Sequence, residues 1–274
     1  MARHMKVAVV QAKSIFNDLS STFEKVIKIM DKCALNQVDL VVFSQSFLPY
    51  NPNNLSFVEN ASINDLKSKF YKLNLTIDDQ SIQILKEKCA RSQIALSIGI
   101  SEYCLGDDQI YNTNIIIDKK GELVSKHRLN TLVGIEKLLW QSDNEIDFKP
   151  VVLDDVKVGS LTNFENYNPY ARSHLLIDNI ELYIVPNSIT HDYWHDSLRH
   201  LALESKAFVL SANLYDGDYY QGGSCIIGPN GDYLVDATYN KEAILIADLD
   251  LDACRYEKMD YSPAKLISDL RKAK

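Results

Sequence analysis

The chain has 274 residues, of which 46% are hydrophobic and 24% charged, values that are ordinary for a soluble globular protein. It carries 37 Asp and Glu against 29 Lys and Arg, and such an acidic chain without a basic run is not expected to bind nucleic acid or an anionic membrane. No apolar run is long enough to cross a bilayer and no signal-peptide pattern opens the chain, so a cytoplasmic protein is expected. The 5 cysteines show neither metal-ligand nor paired spacing, which predicts reduced thiols, no metal and no cofactor.

The first part of the chain predicts two strands separated by a helix. Residues 6–11 form an apolar run that ends in a polar residue, which predicts a buried strand. Ser21 is followed three residues later by Glu24, the pattern of a capping box, so a helix is expected to open there. Residues 38–43 predict a second strand, which delivers Gln45 at its carboxyl end, where ligand-facing residues gather.

Strands and helices continue to alternate along the chain and predict an α/β fold. Residues 1–5 are set aside as an added leader or a disordered start, and residues 6–274 are expected to form a single domain. Gly121 and Gly231 lie in the turns of two predicted hairpins, and the similarity of these turns indicates two related halves. The other predicted elements, in chain order, are a short helix near 61–71, a helix opened by Asp78 and Asp79, a strand over 94–100, a hairpin of 112–118 and 122–128, a strand over 180–187, a helix over 194–206, a strand over 207–213, a hairpin of 222–228 and 232–236, and a strand over 243–250.

The stretch 156–172 predicts a strand, a sharp polar turn and a helix, with Asn168 as the N-cap and Pro169 at the first helical position. A tight strand-to-helix turn projects one side chain beside backbone N–H groups that can stabilise an oxyanion. The residue projected here is Asn163. A neutral carboxamide is neither a nucleophile nor a useful base, so this turn does not predict ordinary covalent catalysis.

The run from Gly159 to Arg172, with Phe164-Glu165-Asn166-Tyr167 and Pro169-x-Ala171-Arg172, resembles the nucleophile segment of the nitrilase (carbon-nitrogen hydrolase) superfamily. The resemblance extends over nearly the whole chain and implies a four-layer αββα sandwich that forms a homodimer. It also implies a mechanism, in which a cysteine attacks the substrate, a glutamate acts as general base and a lysine stabilises the oxyanion.

The resemblance places a non-catalytic residue at each of these three positions. Ser44-Gln45-Ser46-Phe47-Leu48-Pro49 is similar to the family's Pro-Glu-x-Phe-Leu-Pro, so Gln45 stands in place of the glutamate. Leu129 stands in place of the lysine and Asn163 in place of the cysteine. Lys126 is three residues from Leu129, so strand alternation points it to the opposite face. The expected protein is a pseudoenzyme, a nitrilase-like homodimer that binds a small molecule or a protein partner.

Two alternatives stay open. One is a hydrolase of nitriles or amides in which Glu136 or Glu165 activates water, and the other is a non-catalytic subunit of an active nitrilase. Each glutamate could instead hydrogen-bond backbone groups or Arg172. The candidate pocket residues are Glu136, Glu165, Phe164, Arg172 and Trp194.

Three further groups of side chains could carry chemistry. His191 and His195 have the spacing of two metal ligands on one helical face, but no carboxylate motif accompanies them, so rim histidines are expected. Cys104 and Cys225 could be relocated nucleophiles, although Cys225 lies in an apolar strand and is expected to be inert. An aromatic and acidic loop could rim a pocket or an interface, or be solvated; its members are Tyr215, Asp216, Asp218, Tyr219 and Tyr220.

Overall fold

The computed structural model describes residues 3–51, 70–134, 136–143 and 148–272. Within these ranges twelve strands form two six-stranded sheets, accompanied by seven α-helices and one 3-10 helix. The helix predicted near residues 61–71 lies almost entirely outside the described ranges. In the part of the chain that is described, no helix is both long and apolar enough to span a membrane.

The first sheet combines parallel strands with an antiparallel hairpin. Its strands are β1 (His4–Gln11), β2 (Leu40–Val42), β3 (Ala95–Cys104), β4 (Gln109–Ile117), β5 (Leu123–Arg128) and β12 (Ala243–Asp250). They lie in the order β12-β1-β2-β3-β4-β5. β1, β2 and β3 are parallel, β4 and β5 follow as an antiparallel hairpin, and β12 runs antiparallel to β1.

The second sheet repeats this plan. Its strands are β6 (Val151–Leu153), β7 (Val156–Ser160), β8 (Leu182–Asn187), β9 (Phe208–Asn213), β10 (Gly222–Ile227) and β11 (Tyr233–Tyr239), in the order β11-β10-β9-β8-β7-β6. β7, β8 and β9 are parallel, and β10 and β11 form the hairpin. The predicted relation between two halves is therefore visible in the topology.

Alternating side chains on the strands build four layers. The helices are α1 (Leu19–Leu35), α2 (Gln80–Ser92), α3 (Glu136–Leu139), α4 (Pro169–Ile177), α5 (Trp194–Ser205), α6 (Asp252–Asp260) and α7 (Pro263–Lys272). On β1, Ala8 and Val10 pack into the core that contains α1 and α2, whereas Val7 and Val9 pack against the second sheet. The outer face of the second sheet packs on α4 and α5. This order of layers confirms the predicted αββα sandwich.

The start of α1 differs from the prediction. The N-cap is Asp18, whose Oδ1 accepts a hydrogen bond from the Ser21 backbone N–H at 2.9 Å. Ser21 therefore lies inside the first turn, and its hydroxyl also donates to Asp18 at 2.6 Å. Glu24 lies 3.4 Å from Lys28 one turn further along the helix. The predicted capping box is wrong because an aspartate three residues earlier caps the helix instead.

The first strand begins at His4 rather than at residue 6. Met5 is 4% exposed and packs in the layer between the sheets. Arg3 lies 2.7 Å from Glu181, so this first segment contacts the second half of the chain. Residues 3–5 therefore take part in the fold, which corrects the expectation of a disordered start at these positions.

Candidate functional site

The candidate site lies where the carboxyl ends of strands from both sheets come together. Gln45 follows β2, Asn163 follows β7 and Ser188 directly follows β8. Such strand ends are the usual location of ligand sites in α/β folds. The short helix α3 adds Glu136, whose carboxylate contacts both Gln45 and Asn163. The sequence had marked Gln45, Glu136 and Asn163 separately, and the fold makes them neighbours.

Asn163 occupies the strand-to-helix turn in a left-handed backbone conformation, with φ of +52°. Asparagine tolerates this region better than most residues. Asn166 fixes the turn, because its Nδ2 donates to the carbonyl of Leu161 at 3.0 Å and to that of Asn163 at 2.9 Å. Asn163 is 2% exposed, and its own Nδ2 donates to Glu136 Oε1 at 3.1 Å. The side chain at the turn therefore faces a buried carboxylate.

Glu136 is the centre of a buried polar network. It is 1% exposed, and its Oε1 accepts hydrogen bonds from Gln45 Nε2 at 3.0 Å and from Asn163 Nδ2 at 3.1 Å. Its Oε2 accepts from the backbone N–H of Val133 at 3.0 Å. A buried carboxylate needs such donors, because an unsatisfied buried charge is strongly unfavourable. Two neutral carboxamides and one amide N–H are thus among the donors that hold this carboxylate in place.

Gln45 has a defined orientation within this network. Its Oε1 accepts from Ser188 Oγ at 3.1 Å, while its Nε2 donates to Glu136. The two contacts assign the oxygen and the nitrogen of the amide, because a carboxylate can only accept. A carboxylate at position 45 would instead meet Glu136 oxygen to oxygen. Gln45 can therefore donate a hydrogen bond to Glu136, whereas an ionised glutamate at this position would repel it unless a cation lay nearby.

Leu129 directly follows β5 and is 1% exposed. Its backbone N–H donates to the Asn112 carbonyl at 2.8 Å, and its carbonyl accepts from the N–H of Asp143 at 3.4 Å. The backbone is therefore held in the sheet, and the buried side chain is apolar. Lys126 does not substitute for it as a cation, because its Nζ lies 3.4 Å from Glu102.

Glu165 braces the turn and is fully buried. Its Oε2 accepts from the Thr162 backbone N–H at 3.0 Å and lies 2.8 Å from His127 Nε2, and its Oε1 accepts from the Asn130 N–H at 3.0 Å. Arg172 is not its partner, since Arg172 Nε donates to Glu204 at 2.7 Å. Of the alternatives left open for Glu165, backbone hydrogen bonding is the one that the structure contains.

Two adjoining cavities open beside this network. The smaller one has a volume of about 340 Å³, and Glu136, Asn163 and Phe164 line it. The larger one has a volume of about 610 Å³, and Trp194 lines it. We call the two together the acidic cleft; they share the lining residues Ile189, Thr190, His191 and Tyr219. Glu165 and Arg172 are not among the described residues that line it, so these two predicted pocket residues lie behind the cleft.

The aromatic and acidic loop forms one side of the cleft. Tyr219 and Tyr220 line the smaller cavity, and Asp218 lines the larger one. Tyr220 is 5% exposed, and burial raises its pKa, so its phenol stays protonated at neutral pH. Of the three possibilities for this loop, the rim of a pocket is the one that its position favours.

The candidate thiol nucleophiles lie outside the cleft. Cys225 is fully buried, and burial raises its pKa. Its Sγ lies 4.0 Å from Nδ1 of His195, but burial lowers the pKa of that histidine, so the two do not form a thiolate and imidazolium pair. Cys104 is partly exposed at the end of β3 and is not among the described lining residues.

The histidines do not assemble a metal site in the described ranges. His191 and His195 both line the larger cavity, and His200 lies 3.9 Å from Glu204 on the exposed side of α5. No group of three or more His, Cys, Asp or Glu side chains in the described part of the chain could hold a metal ion. The position of the first two histidines agrees with rim residues.

Sequence reasoning did not single out Ser188, although it contacts Gln45 and lines the smaller cavity. One signal was present: Ser188 is the first residue after the strand that the sequence predicts over 180–187. The rule that led to Gln45 at the end of β2 applies equally to the end of β8.

The fold and this turn define a sandwich of two α/β halves with a ligand-sized cleft at their shared edge. The sequence profile of the carbon-nitrogen hydrolase family matches residues 6–257, and the chain therefore belongs to that family. The matched range includes every strand of both sheets except the first two residues of β1.

Named enzymes align with this chain over most of its length. The chain is 28% identical over 279 residues to an aliphatic nitrilase of Sinorhizobium fredii, and the alignment covers 93% of this chain and 90% of that protein. It is 26% identical over 284 residues to a bifunctional nitrilase/nitrile hydratase of Nicotiana tabacum, covering 94% and 81% of the two proteins. These are enzymes to which this chain is similar.

Solved structures show the same fold. Nit3 of Saccharomyces cerevisiae superposes with a TM-score of 0.79 at 21% identity over 94% of each chain. A double mutant of the amidase from Nesterenkonia sp. AN1, in complex with acrylamide, superposes with a TM-score of 0.71 at 19% identity, covering 94% of this chain and 95% of that one. At this identity the superpositions establish the fold.

Proposed function

We propose that this chain is a nitrilase-fold protein that binds a small molecule in the acidic cleft without hydrolysing a carbon–nitrogen bond. The observation that carries the proposal is Asn163, which occupies the turn where the sequence resemblance places the family's catalytic cysteine. Gln45 and Leu129 stand in the same way at the positions of the glutamate and the lysine. The similarity to nitrilases and amidases supplies the fold and the cleft for this binding function.

Covalent hydrolysis of an amide or nitrile needs three things that these residues do not offer. The nucleophile must become an anion such as a thiolate, and the Asn163 nitrogen is a delocalised amide. The base must accept a proton, and Gln45 already uses its nitrogen as a donor to Glu136. The oxyanion needs a positive charge or aligned donors, and Leu129 provides neither. Binding can persist without these groups because it depends on the shape and polarity of the cleft.

The three substitutions are also electrostatically consistent with one another. Removing only a lysine would leave a buried glutamate without its partner, at a cost of about 3–5 kcal/mol. With glutamine at position 45 and leucine at position 129, the site keeps the Glu136 carboxylate, which accepts hydrogen bonds from neutral donors. This consistency supports a site that has settled into a non-catalytic state.

A hydrolase in which a carboxylate activates water is supported less well. Glu136 is the only glutamate among the described residues that line the cleft. Both of its oxygens accept hydrogen bonds from protein donors, so a water molecule would have to compete with them. Glu165, the other candidate, is fully buried behind the turn.

Ammonia release by the purified protein tests the proposal. We expect no saturable release from a panel of nitriles, amides and N-carbamoyl compounds, either by the protein or by its Asn163→Ala variant, because no covalent route exists. The measurement is a coupled ammonia assay on both proteins prepared in parallel. Saturable release that disappears in the variant would contradict the proposal and return the chain to the enzymes.

We also propose that the protein is a homodimer, as the resemblance implies. The second sheet's helical face exposes several large side chains: Tyr167, Tyr170, Tyr193 and Leu203 are each more than 40% exposed. Tyrosine is enriched at protein–protein interfaces. Light scattering coupled to size-exclusion chromatography should give twice the chain mass, and Tyr170→Glu should lower it. A monomer at micromolar concentration would contradict the dimer.

A further inference from the structure

We propose that the acidic cleft selects a cationic ligand, a primary amine or other ammonium compound carried on a short carbon chain. This inference rests on the proposed binding function and names the chemical class that the site would take. It is argued from the charges, the aromatic rings and the unpaired hydrogen-bonding groups of the described lining residues.

The charges that line the cleft are negative. Glu136 lies in the smaller cavity, and Asp192 and Asp218 lie in the larger one. No lysine or arginine is among the described lining residues of either cavity. A cleft with low-dielectric walls and charges of one sign concentrates the opposite charge. A carboxylate ligand would meet three like charges, whereas an ammonium ligand would meet three opposite ones.

Two ionisable rings of the larger cavity, His195 and Tyr239, do not reverse this sign. Burial lowers the pKa of His195, and the carboxylates of Asp192 and Asp196 oppose that shift without cancelling it. His195 is therefore neutral at pH 7. Burial raises the pKa of Tyr239, which also lines the larger cavity, so this phenol is neutral as well.

One lysine approaches the same loop from outside. Lys13 Nζ lies 3.9 Å from the position that a Cβ would take at Gly217. Lys13 is exposed and is not among the described residues that line the cleft. It is therefore not counted among the charges of the cleft.

Aromatic rings provide the second feature that favours a cation. Trp194, which is 2% exposed, lines the larger cavity together with Tyr239, and Tyr219 lines both cavities. An ammonium group over the face of such a ring is attracted by the π electrons of the ring, and tryptophan is the strongest partner. The same rings pack against the methylene groups of a carbon chain.

One unpaired acceptor, beside Glu136, provides the third feature. Among its described lining residues, the larger cavity also has one unpaired donor, Trp194 Nε1, which lies apart from that acceptor and is neutral. Asn163 Oδ1 accepts no hydrogen bond from the part of the chain that the structure describes, although Asn163 is 98% buried. A buried acceptor without a donor is unfavourable. An ammonium group has three N–H donors and no acceptor, so it can satisfy Asn163 Oδ1 beside the Glu136 carboxylate. A nitrile nitrogen or a carboxylate only accepts and would leave Oδ1 unpaired.

The direct test compares butylamine with two probes of similar size, butanol and butyrate. Ligand-observed NMR and calorimetry on the whole protein at about 20 mM salt should show the amine binding at least about tenfold more tightly than either. Raising the salt to about 300 mM should weaken binding of the amine, because a charge interaction is screened. A fragment of this size is expected to bind with a Kd below about 10 mM.

Two variants separate the charge effect from a general change in the protein. Asp192→Asn together with Asp218→Asn changes two exposed residues of the larger cavity, so the fold should persist while the affinity for butylamine falls by about three- to tenfold. Asp248→Asn is the matched control, because Asp248 is an exposed carboxylate on β12 beside His4, and its change should leave the affinity unaltered.

Several results would overturn the inference: equal or tighter binding of butyrate or butanol, an unchanged affinity in the double variant, or no saturable binding of the amine at about 10 mM. These outcomes are distinguishable from failure of the proposed function. Ammonia release in the hydrolysis assay would overturn the non-hydrolytic function even if amines bind best. A preference for butyrate without any ammonia release would overturn only the cationic ligand.

Discussion

The triple variant Gln45→Glu, Leu129→Lys, Asn163→Cys is expected to gain hydrolytic activity that the parent protein lacks. The change supplies a base, a cation and a nucleophile at the positions where the resemblance places them, and the nucleophile lies on the sharp turn at position 163. Because triad members act as a unit, Asn163→Cys alone should gain little. We expect release of ammonia at least about 10²-fold above the parent for the best compound in the panel of nitriles and amides.

A second readout of the triple variant does not depend on knowing the substrate. A lysine near a thiol lowers the pKa of that thiol, and the thiolate is the form that reacts with an electrophile such as acrylamide. The thiol introduced at position 163 should react with acrylamide faster in the triple variant than in Asn163→Cys alone, as measured by intact mass and peptide mapping against the native cysteines. Equal thiol reactivity in both variants, together with no ammonia release, would contradict the assignment of these three positions.

The second large effect concerns Gln45→Glu alone, which is expected to destabilise the protein by about 3–5 kcal/mol at neutral pH. Gln45 Nε2 lies 3.0 Å from Glu136 Oε1, so the variant places two carboxylates in contact inside the protein. Adding Leu129→Lys should restore part of the loss, because a cation then accompanies the pair. The measurement is the midpoint of denaturant unfolding for the parent, both single variants and the double variant.

The pH dependence of Gln45→Glu has a definite sign. Two carboxylates in contact raise the pKa of one of them above its unfolded value, near about 4.3. The unfolded state then releases its proton first, so the variant loses stability relative to the parent as pH rises above that value. Below about pH 4 the deficit should shrink. A deficit that stays constant from pH 4 to pH 8 would point to steric causes instead of charge.

The local signals in the sequence predicted the parts of the fold that depend on neighbouring residues. Asn168 caps α4 by accepting from the Tyr170 N–H at 3.0 Å, with Pro169 following it as expected. Asp79 caps α2, and Gly121 supplies the positive φ of its hairpin turn. Each of these features is decided within about four residues, which is the distance over which capping and turn chemistry act.

The features that sequence reasoning missed depend on residues that are far apart in the sequence, or on a choice between two nearby residues that could play the same part. β6 has three residues and gives no periodic pattern, and its place beside β7 is set by pairing. The capping box at Ser21 failed because the helix begins earlier, where Asp18 caps it by accepting from the Ser21 N–H. The hydrogen bonds of Glu136 reach Gln45, 91 residues away, and no local pattern could predict them. The sequence could name these residues but not the network that they form.

The repeated strand order of the two sheets gives the cleft a particular dependence on the rest of the molecule. Gln45 and Ser188 each follow the second parallel strand of their own half, and their side chains meet at 3.1 Å. The cleft therefore lies where the two halves of the chain meet. Its width depends on the distance between the two sheets, which the apolar side chains packed between them set. Substitutions in that layer therefore change the width of the cleft, and with it the size of ligand that fits, even when every lining residue is unchanged.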